Sequence, residues 1–225
     1  MKKKLAILIS IIMVLSITAL TACGGGKTAD TADTADNTET TEAADTAADT
    51  ADDQTDPVNG AAFGYSGDDP VQAAVYQYLV EEIAPQYELP EGAVSIPIVQ
   101  IVDEDVDSDD GEAEVKGDFW VFNYVIEGDT LKMVSGGNHP GKMELIQAGS
   151  GYAVKEFEQV ADGSNFEPTA RDIFEEHYDA FMKVNGDANA REDLRKQIIA
   201  DYVKANNLSV TKYQDEGWDP VDIPL

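Results

Sequence analysis

Along residues 61–225, the spacing of apolar residues is first typical of a helix and then typical of strands. The first of these segments predicts a helix. Between residues 70 and 83, apolar side chains recur three or four positions apart, which is typical of an amphipathic helix. Asp69 and Pro70 precede this run as an N-cap and a first helical residue, and Pro85 follows it. We therefore expect a first helix that ends near Pro85.

Runs of branched and aromatic residues follow and predict strands. The first, residues 96–102, contains Pro97, which favours an edge strand because proline cannot donate a ladder hydrogen bond. Further runs occupy residues 112–126, 130–135, 142–147 and 152–160. Tight turns between these runs indicate a curved antiparallel meander of about five strands.

Helical spacing returns after the meander. Thr169 and Asp172 resemble a capping box, and the apolar residues after them predict a helix that ends at Asn185 and Gly186. A last helix is predicted over residues 188–206. The order of helix, meander and two helices indicates an α+β fold with the helices on one side of the sheet.

The N-terminus has the pattern of an export signal. Lysines at positions 2–4 precede an uncharged apolar run over residues 5–20. The run leads into Leu20, Thr21, Ala22 and Cys23, a motif that resembles the lipobox of bacterial lipoproteins. That resemblance implies cleavage before Cys23, diacylation of its sulfur with palmitate-type chains, and anchoring at the extracytoplasmic face of the cell membrane. An uncleaved membrane helix is the alternative, because the run is only slightly shorter than a bilayer span.

Composition divides the chain into a signal peptide (1–22) and two further regions. Residues 23–60 begin with the lipidated cysteine and continue with Thr-Ala-Asp triplets that degenerate into an acidic tract. Such a tract cannot bury enough apolar surface to fold, so we expect a disordered linker. Residues 61–225 are long enough to bury a core without a metal or a disulfide, and we expect them to form one globular domain.

Acidic side chains dominate the whole chain. It has 15 basic and 44 acidic residues and a formal net charge of −29, and residues 61–225 alone carry 34 acidic and 11 basic residues. This excess argues against nucleic acid as a partner and favours cations, basic peptides or neutral glycans. A surface that is acidic only for solubility is the alternative. One cysteine and two histidines exclude a disulfide framework and argue against a zinc site, and no cofactor is predicted.

Three segments of the folded region carry a resemblance to known folds: residues 137–164, 174–181 and 217–220. They resemble the cystatin-like or nuclear-transport-factor-2-like architecture, in which a meander wraps a helix, as it occurs in lipoproteins of Gram-positive gut bacteria. The resemblance implies a cone-shaped cavity. It implies no particular activity, because these folds host enzymes, ligand binders and dimerisation modules alike.

An acidic segment has part of the spacing of a calcium-binding loop. Positions 1, 3, 5 and 12 of the EF-hand pattern are occupied by Asp103, Asp105, Asp107 and Glu114. Ser108 replaces the glycine that the sixth position of such a loop requires, and strands are predicted on both sides. A solvated hairpin loop is therefore the favoured interpretation, and a weak calcium site is the alternative.

The two histidines are the catalytic candidates. His139 lies in a glycine-rich turn, and His177 lies beside the apolar stripe of a predicted helix. Neither accompanies a recognisable nucleophile or metal motif. An enzyme would have to combine one of them with a carboxylate.

The strongest strand is apolar on both faces. Trp120 and Tyr124 alternate onto one face, which is either covered, with Trp218 as a plug, or open as an aromatic platform for a ligand or partner. Core packing is the favoured interpretation. We expect a membrane-tethered, non-catalytic binding module for an envelope protein, peptide or glycan. The alternative is an envelope hydrolase that uses His139 or His177 in a cone-like cavity.

Overall fold

A computed structural model describes residues 60–225 of the chain. The signal peptide, the lipidation site Cys23 and the acidic linker that the sequence predicts lie outside these residues. The described part has an α+β fold, so the predicted class is confirmed. Within it, no helix is both long and apolar enough to cross a membrane.

The first helix, α1, spans Pro70–Tyr78 and begins at a polar cap. The carboxylate of Asp69 accepts hydrogen bonds from the amides of Val71 (2.8 Å) and Gln72 (3.1 Å), which satisfies two otherwise unpaired donors of the first turn. A π-helical turn over Leu79–Ile83 and a 3-10 turn over Ala84–Gln86 continue α1 toward the sheet.

Seven strands form one mixed sheet instead of a purely antiparallel meander of about five strands. They are β1 (Val94–Asp107), β2 (Glu112–Glu127), β3 (Thr130–Asn138), β4 (Gly141–Ala148), β5 (Gly151–Gln159), β6 (Lys212–Gln214) and β7 (Val221–Asp222). The first five strands pair antiparallel, but β3 and β4 both pair with β2 and not with each other, so the chain does not form the predicted meander there. The two C-terminal strands are the addition: β6 pairs parallel to β3, and β7 pairs with β6.

The long strand β2 organises the sheet. One of its edges pairs with β1, and the other pairs first with β4 and then with β3. Strands β3 and β4 are therefore two halves of one bent strand, interrupted at His139 and Pro140. Because β2 is the sole partner of β1 among the described strands, Pro97 lies in an edge strand, as predicted.

Helices cover both faces of the sheet, so the prediction that they lie on one side is wrong. Phe119 and Val121 of β2 pack in one apolar cluster with α1. Phe122 and Tyr124 point to the opposite face and pack in a second cluster with the last helix. The apolar alternation of β2 on both faces is the physical cause, because each face needs its own cover.

The C-terminal helices are α2 (Phe166–Phe174), α3 (Tyr178–Gly186) and α4 (Ala188–Ala205). Residues 169–185, predicted as one helix, are divided between α2 and α3 by Glu175, whose backbone has φ 49° and ψ −121°. The break allows Phe174 and Phe181 to stack with ring centroids 4.0 Å apart in a third apolar cluster. Thr169 is not a helix cap: it lies inside α2, where its hydroxyl bonds the carbonyl of Asn165.

Candidate functional site

The aromatic face of β2 is closed by two arginines of α4. The guanidinium carbon of Arg191 lies 4.4 Å from the ring centroid of Trp120, and that of Arg195 lies 4.3 Å from the centroid of Phe122. One turn of helix rises about 6 Å over four residues and two strand residues span nearly 7 Å, so the two spacings match. Cation–π contacts therefore join α4 to β2.

Arg195 is the centre of this interface. Its side chain is 3% exposed, and its Nε donates to the Tyr124 hydroxyl at 2.7 Å. Both terminal nitrogens bond the carboxylate of Asp215, with Nη1 at 2.9 Å. Burial raises the pKa of Tyr124, so its hydroxyl stays protonated at neutral pH.

These contacts cover the face of β2 that was predicted either to pack in the core or to bind a ligand. Tyr124 is fully buried and the face of Trp120 lies under Arg191, so neither ring forms an open platform. Trp218 does not plug this face, because 75% of its surface is exposed. A turn holds Trp218 in place: its amide donates to the Asp215 carbonyl at 3.1 Å, and its carbonyl accepts from Gln214 Nε2 at 2.7 Å.

A buried carboxylate lies under the start of the aromatic run. Asp118 is fully buried and accepts hydrogen bonds from Trp120 Nε1 (3.0 Å), Asn138 Nδ2 (2.6 Å) and Asn185 Nδ2 (3.1 Å). These partners belong to β2, β3 and α3. The network thus attaches α3 to the sheet through one side chain.

His139 has a structural environment. Its Nε2 lies 2.8 Å from the Tyr87 hydroxyl, and its Nδ1 is buried without a hydrogen-bond partner among the described residues. Burial lowers the pKa of His139, and the side chain of Gln159 and the charge of Asp162 oppose this shift only in part. The contact requires Gly137, because a methyl group there would overlap the Tyr87 hydroxyl.

His177 does meet a carboxylate. Its Nε2 lies 3.7 Å from Asp103 Oδ2, and about a third of each side chain is exposed. The separation exceeds a normal hydrogen bond, so the contact is electrostatic when the imidazole is protonated. His177 belongs to the 3-10 turn Glu175–His177 and not to the predicted helix.

The open part of the sheet on the side of α2 and α3 carries a row of carboxylates. The strand register places four carboxylates side by side across β1, β2, β4 and β5. They are Asp105, Glu114, Glu144 and Glu156. Directly paired side chains share one face at about 5 Å. Beside the row lies a cavity of about 360 Å³, which we call the acidic groove. Its charged and exposed walls are Asp105, Asp107, Glu112, Glu114, Glu144, Ile146 and Lys155.

Lysines neutralise the middle of this row. Lys142 Nζ lies 3.8 Å from Glu114 and 3.7 Å from Glu144. Lys116 is 6% exposed, and its Nζ lies 3.3 Å from Glu114 and 3.4 Å from the strained residue Glu175. Burial alone would lower the pKa of Lys116, but its bonds to these carboxylates outweigh that effect and raise it. Among the described residues, no basic group lies within 4.0 Å of Asp105 or Asp107, so the outer end of the groove stays negative.

The calcium candidates do not wrap around one point. Asp103, Asp105 and Asp107 alternate along β1, and Glu114 pairs with Asp105 from β2. Within residues 60–225, no group of three or more histidine, cysteine, aspartate or glutamate side chains is placed to hold a metal ion. Residues 103–107 extend β1, so the solvated hairpin loop that the sequence favoured is reduced to a turn over residues 108–111.

Sequence reasoning did not identify the roles of Lys116, Asp118 and Arg195. The signal was present, because Lys116 and Asp118 interrupt a strand that is otherwise apolar, and such residues are buried only with partners. Those partners come from α3, the α2–α3 turn and the C-terminal segment, which no local pattern could supply. Comparisons of the chain with protein-family models, with curated proteins and with solved structures find no match.

Proposed function

We propose that the chain is a lipid-anchored protein of the extracytoplasmic membrane face whose domain binds, without catalysis, a basic segment of an envelope protein or peptide. The acidic groove is the observation that carries this proposal. It combines three carboxylates that have no basic partner within 4.0 Å among the described residues, Asp105, Asp107 and Glu112, with Ile146, which is 42% exposed. A basic segment with apolar residues complements both features.

Charge complementarity at such a groove acts mainly on the association rate and on specificity. The carboxylates lie partly in solvent, so each contributes little alone, and salt screens them. The binding is therefore expected to weaken as ionic strength rises. An aromatic or aliphatic residue of the partner that packs against Ile146 would supply the part of the binding free energy that salt does not screen.

The test uses fluorescence anisotropy of a labelled lysine- and leucine-containing peptide titrated with the full chain. The double variant Asp105→Asn/Glu144→Gln should bind about tenfold more weakly or worse, which corresponds to roughly 1.4 kcal/mol. The matched control is Glu88→Gln/Glu91→Gln, which removes the same charge from exposed positions before β1. Equal weakening by both double variants would show that only net charge matters and would contradict a defined groove.

The membrane anchor rests on the lipobox-like residues that end at Cys23. A diacylated chain should partition into detergent and incorporate a palmitate analogue, whereas Cys23→Ser should do neither. Incorporation of the label by the serine variant would contradict Cys23 as the attachment point.

The cystatin-like or nuclear-transport-factor-2-like architecture is part of the same proposal. The packing of α1 against one face of the antiparallel strands supports it. In that description, β6, β7 and the helices α2 to α4 on the opposite face are additions to the simplest form of the fold. They cover the second apolar face of β2.

An envelope hydrolase is the second candidate, because His177 lies 3.7 Å from Asp103 near the buried Lys116. None of these groups is a wall of the acidic groove, so their substrate would bind beside His177 and exchange protons with its imidazole there. His177→Ala should abolish such an activity and leave peptide binding by the groove intact. His139→Ala provides the comparison, since His139 contacts Tyr87 and not a carboxylate within hydrogen-bond distance.

A further inference from the structure

We propose that the exposed side of α1 carries a separate binding site for a neutral oligosaccharide. Two cavities, of about 250 and 330 Å³, border α1, and the side chains of Gln77 and Glu81 belong to the walls of both. A ligand of several sugar rings would contact both cavities at once. This site does not depend on the acidic groove, which lies on the opposite face of the sheet.

Aromatic rings form part of the apolar wall of both cavities, together with small aliphatic side chains. In the first, Tyr65 stacks on Tyr76 with centroids 4.8 Å apart and an interplanar angle of 16°. In the second, the half-buried rings of Tyr78 and Tyr152 line the wall. Flat aromatic surface on either side of a polar ridge suits sugar rings, which present C–H groups on their faces and hydroxyls at their edges.

The position of Tyr65 is fixed before any ligand arrives. Its hydroxyl donates to Gln72 Oε1 at 3.3 Å. Gly67 makes this possible, because a side chain there would overlap the phenol ring. Phe63 packs on the other ring of the stack, with its centroid 5.7 Å from that of Tyr76. A preformed aromatic surface lowers the ordering cost of binding.

The polar groups of the ridge accept hydrogen bonds and disfavour an anionic ligand. Gln77 Nε2 donates to Glu81 Oε1 at 3.0 Å, which leaves the Gln77 carbonyl and the second carboxylate oxygen to accept from hydroxyls. Glu81 and Glu82 are the only charged residues of the two walls, so uronate, sulfate or phosphate groups would be repelled. Hydroxyl donors of a neutral glycan match these acceptors.

The experiment is calorimetric titration of the full chain with four neutral tetrasaccharides: chitotetraose, cellotetraose, maltotetraose and mannotetraose. We expect at least one to bind, and we expect tetragalacturonate, the anionic comparison, to bind much more weakly. Gln77→Ala should weaken the binding about tenfold, the effect of roughly one hydrogen bond at the site. Gln86→Ala is the matched control, because Gln86 is also exposed, belongs to neither wall, and bonds only the backbone carbonyl of Glu82.

Three results would overturn the proposal. The first is no binding of any of the four neutral sugars at millimolar concentration. The second is equal weakening by Gln77→Ala and Gln86→Ala, and the third is equal affinity for tetragalacturonate. None of them bears on peptide binding by the acidic groove, which is measured with another probe and other variants.

Discussion

Replacement of Arg195 by methionine tests how the last helix is held to the sheet. The substitution keeps an unbranched side chain of similar length but removes the charge and every donor. It leaves the buried Tyr124 hydroxyl and the Asp215 carboxylate without their partner. Breaking a buried pair in this way costs about 3–5 kcal/mol.

Because Asp215 is partly exposed, the expected loss of unfolding free energy lies at the lower end of that range. Its side chain is 38% exposed, so water can solvate part of the orphaned charge. We therefore expect Arg195→Met to lower the free energy of unfolding by about 3 kcal/mol. For a domain of this size, that loss corresponds to a decrease in Tm of roughly 6–12 °C.

Denaturant unfolding, followed by circular dichroism, measures the change, and a second variant tests its cause. If the orphaned carboxylate causes most of the loss, Arg195→Met/Asp215→Asn should be more stable than Arg195→Met alone. Lys132→Met is the control, because Lys132 pairs with Glu127 on an exposed strand surface and its loss should cause no clear change. A loss below about 1 kcal/mol in Arg195→Met, or no recovery in the double variant, would refute the reasoning.

Three further perturbations test other buried contacts. Asp118→Ala should lower the free energy of unfolding by about 2–3 kcal/mol, because it leaves the part-buried donors of Trp120, Asn138 and Asn185 without their acceptor. A loss below about 1 kcal/mol would contradict this. Gly137→Ala should cost about 1–3 kcal/mol through overlap with Tyr87, whereas Gly151→Ala, with nothing within 4 Å, should change stability little; similar losses in both would refute the steric account. Because burial lowers the pKa of His139 below 6.5, the unfolded chain gains a proton first, and stability falls as pH decreases through the ordinary pKa toward the folded one. His139→Gln should flatten that fall between about pH 7 and pH 5, and identical pH profiles of Tm would exclude this role.

Local patterns predicted the elements whose signals lie within a few residues. The cap at Asp69, the edge position of Pro97 and the last helix, observed over Ala188–Ala205, agree with their predicted places. Each depends on neighbours in sequence or on a restricted backbone geometry. The turns between β1 and β5 belong to the same class, since their glycines allow positive φ at Gly128 and Gly149.

Predictions failed where a distant part of the chain decides the structure. The helix break lies at Glu175, whose side chain contacts the buried Lys116 on β2, 59 residues earlier, a partner that no local pattern indicates. The cover of the aromatic face depends on Arg191 and Arg195, and the apolar stripe predicted for their helix did not include these charged residues. Strand β6 exists because residues 212–214 lie beside β3, and its three residues are too few for a strand pattern.

The few basic side chains of the domain contact carboxylates of the domain itself, and this determines which carboxylates remain without a partner. Several pair with carboxylates of their own fold, namely Lys116, Lys132, Lys142, Arg171, Arg195 and Lys212. The uncompensated carboxylates therefore face solvent, which serves solubility wherever they lie. If the acidic surface serves only solubility, the double variants at Glu88 and Glu91 and at Asp105 and Glu144 should behave alike. If the groove binds a basic segment, the variant at Asp105 and Glu144 should lose more binding. The difference between those two charge-matched double variants thus separates a generally acidic surface from a surface with a partner.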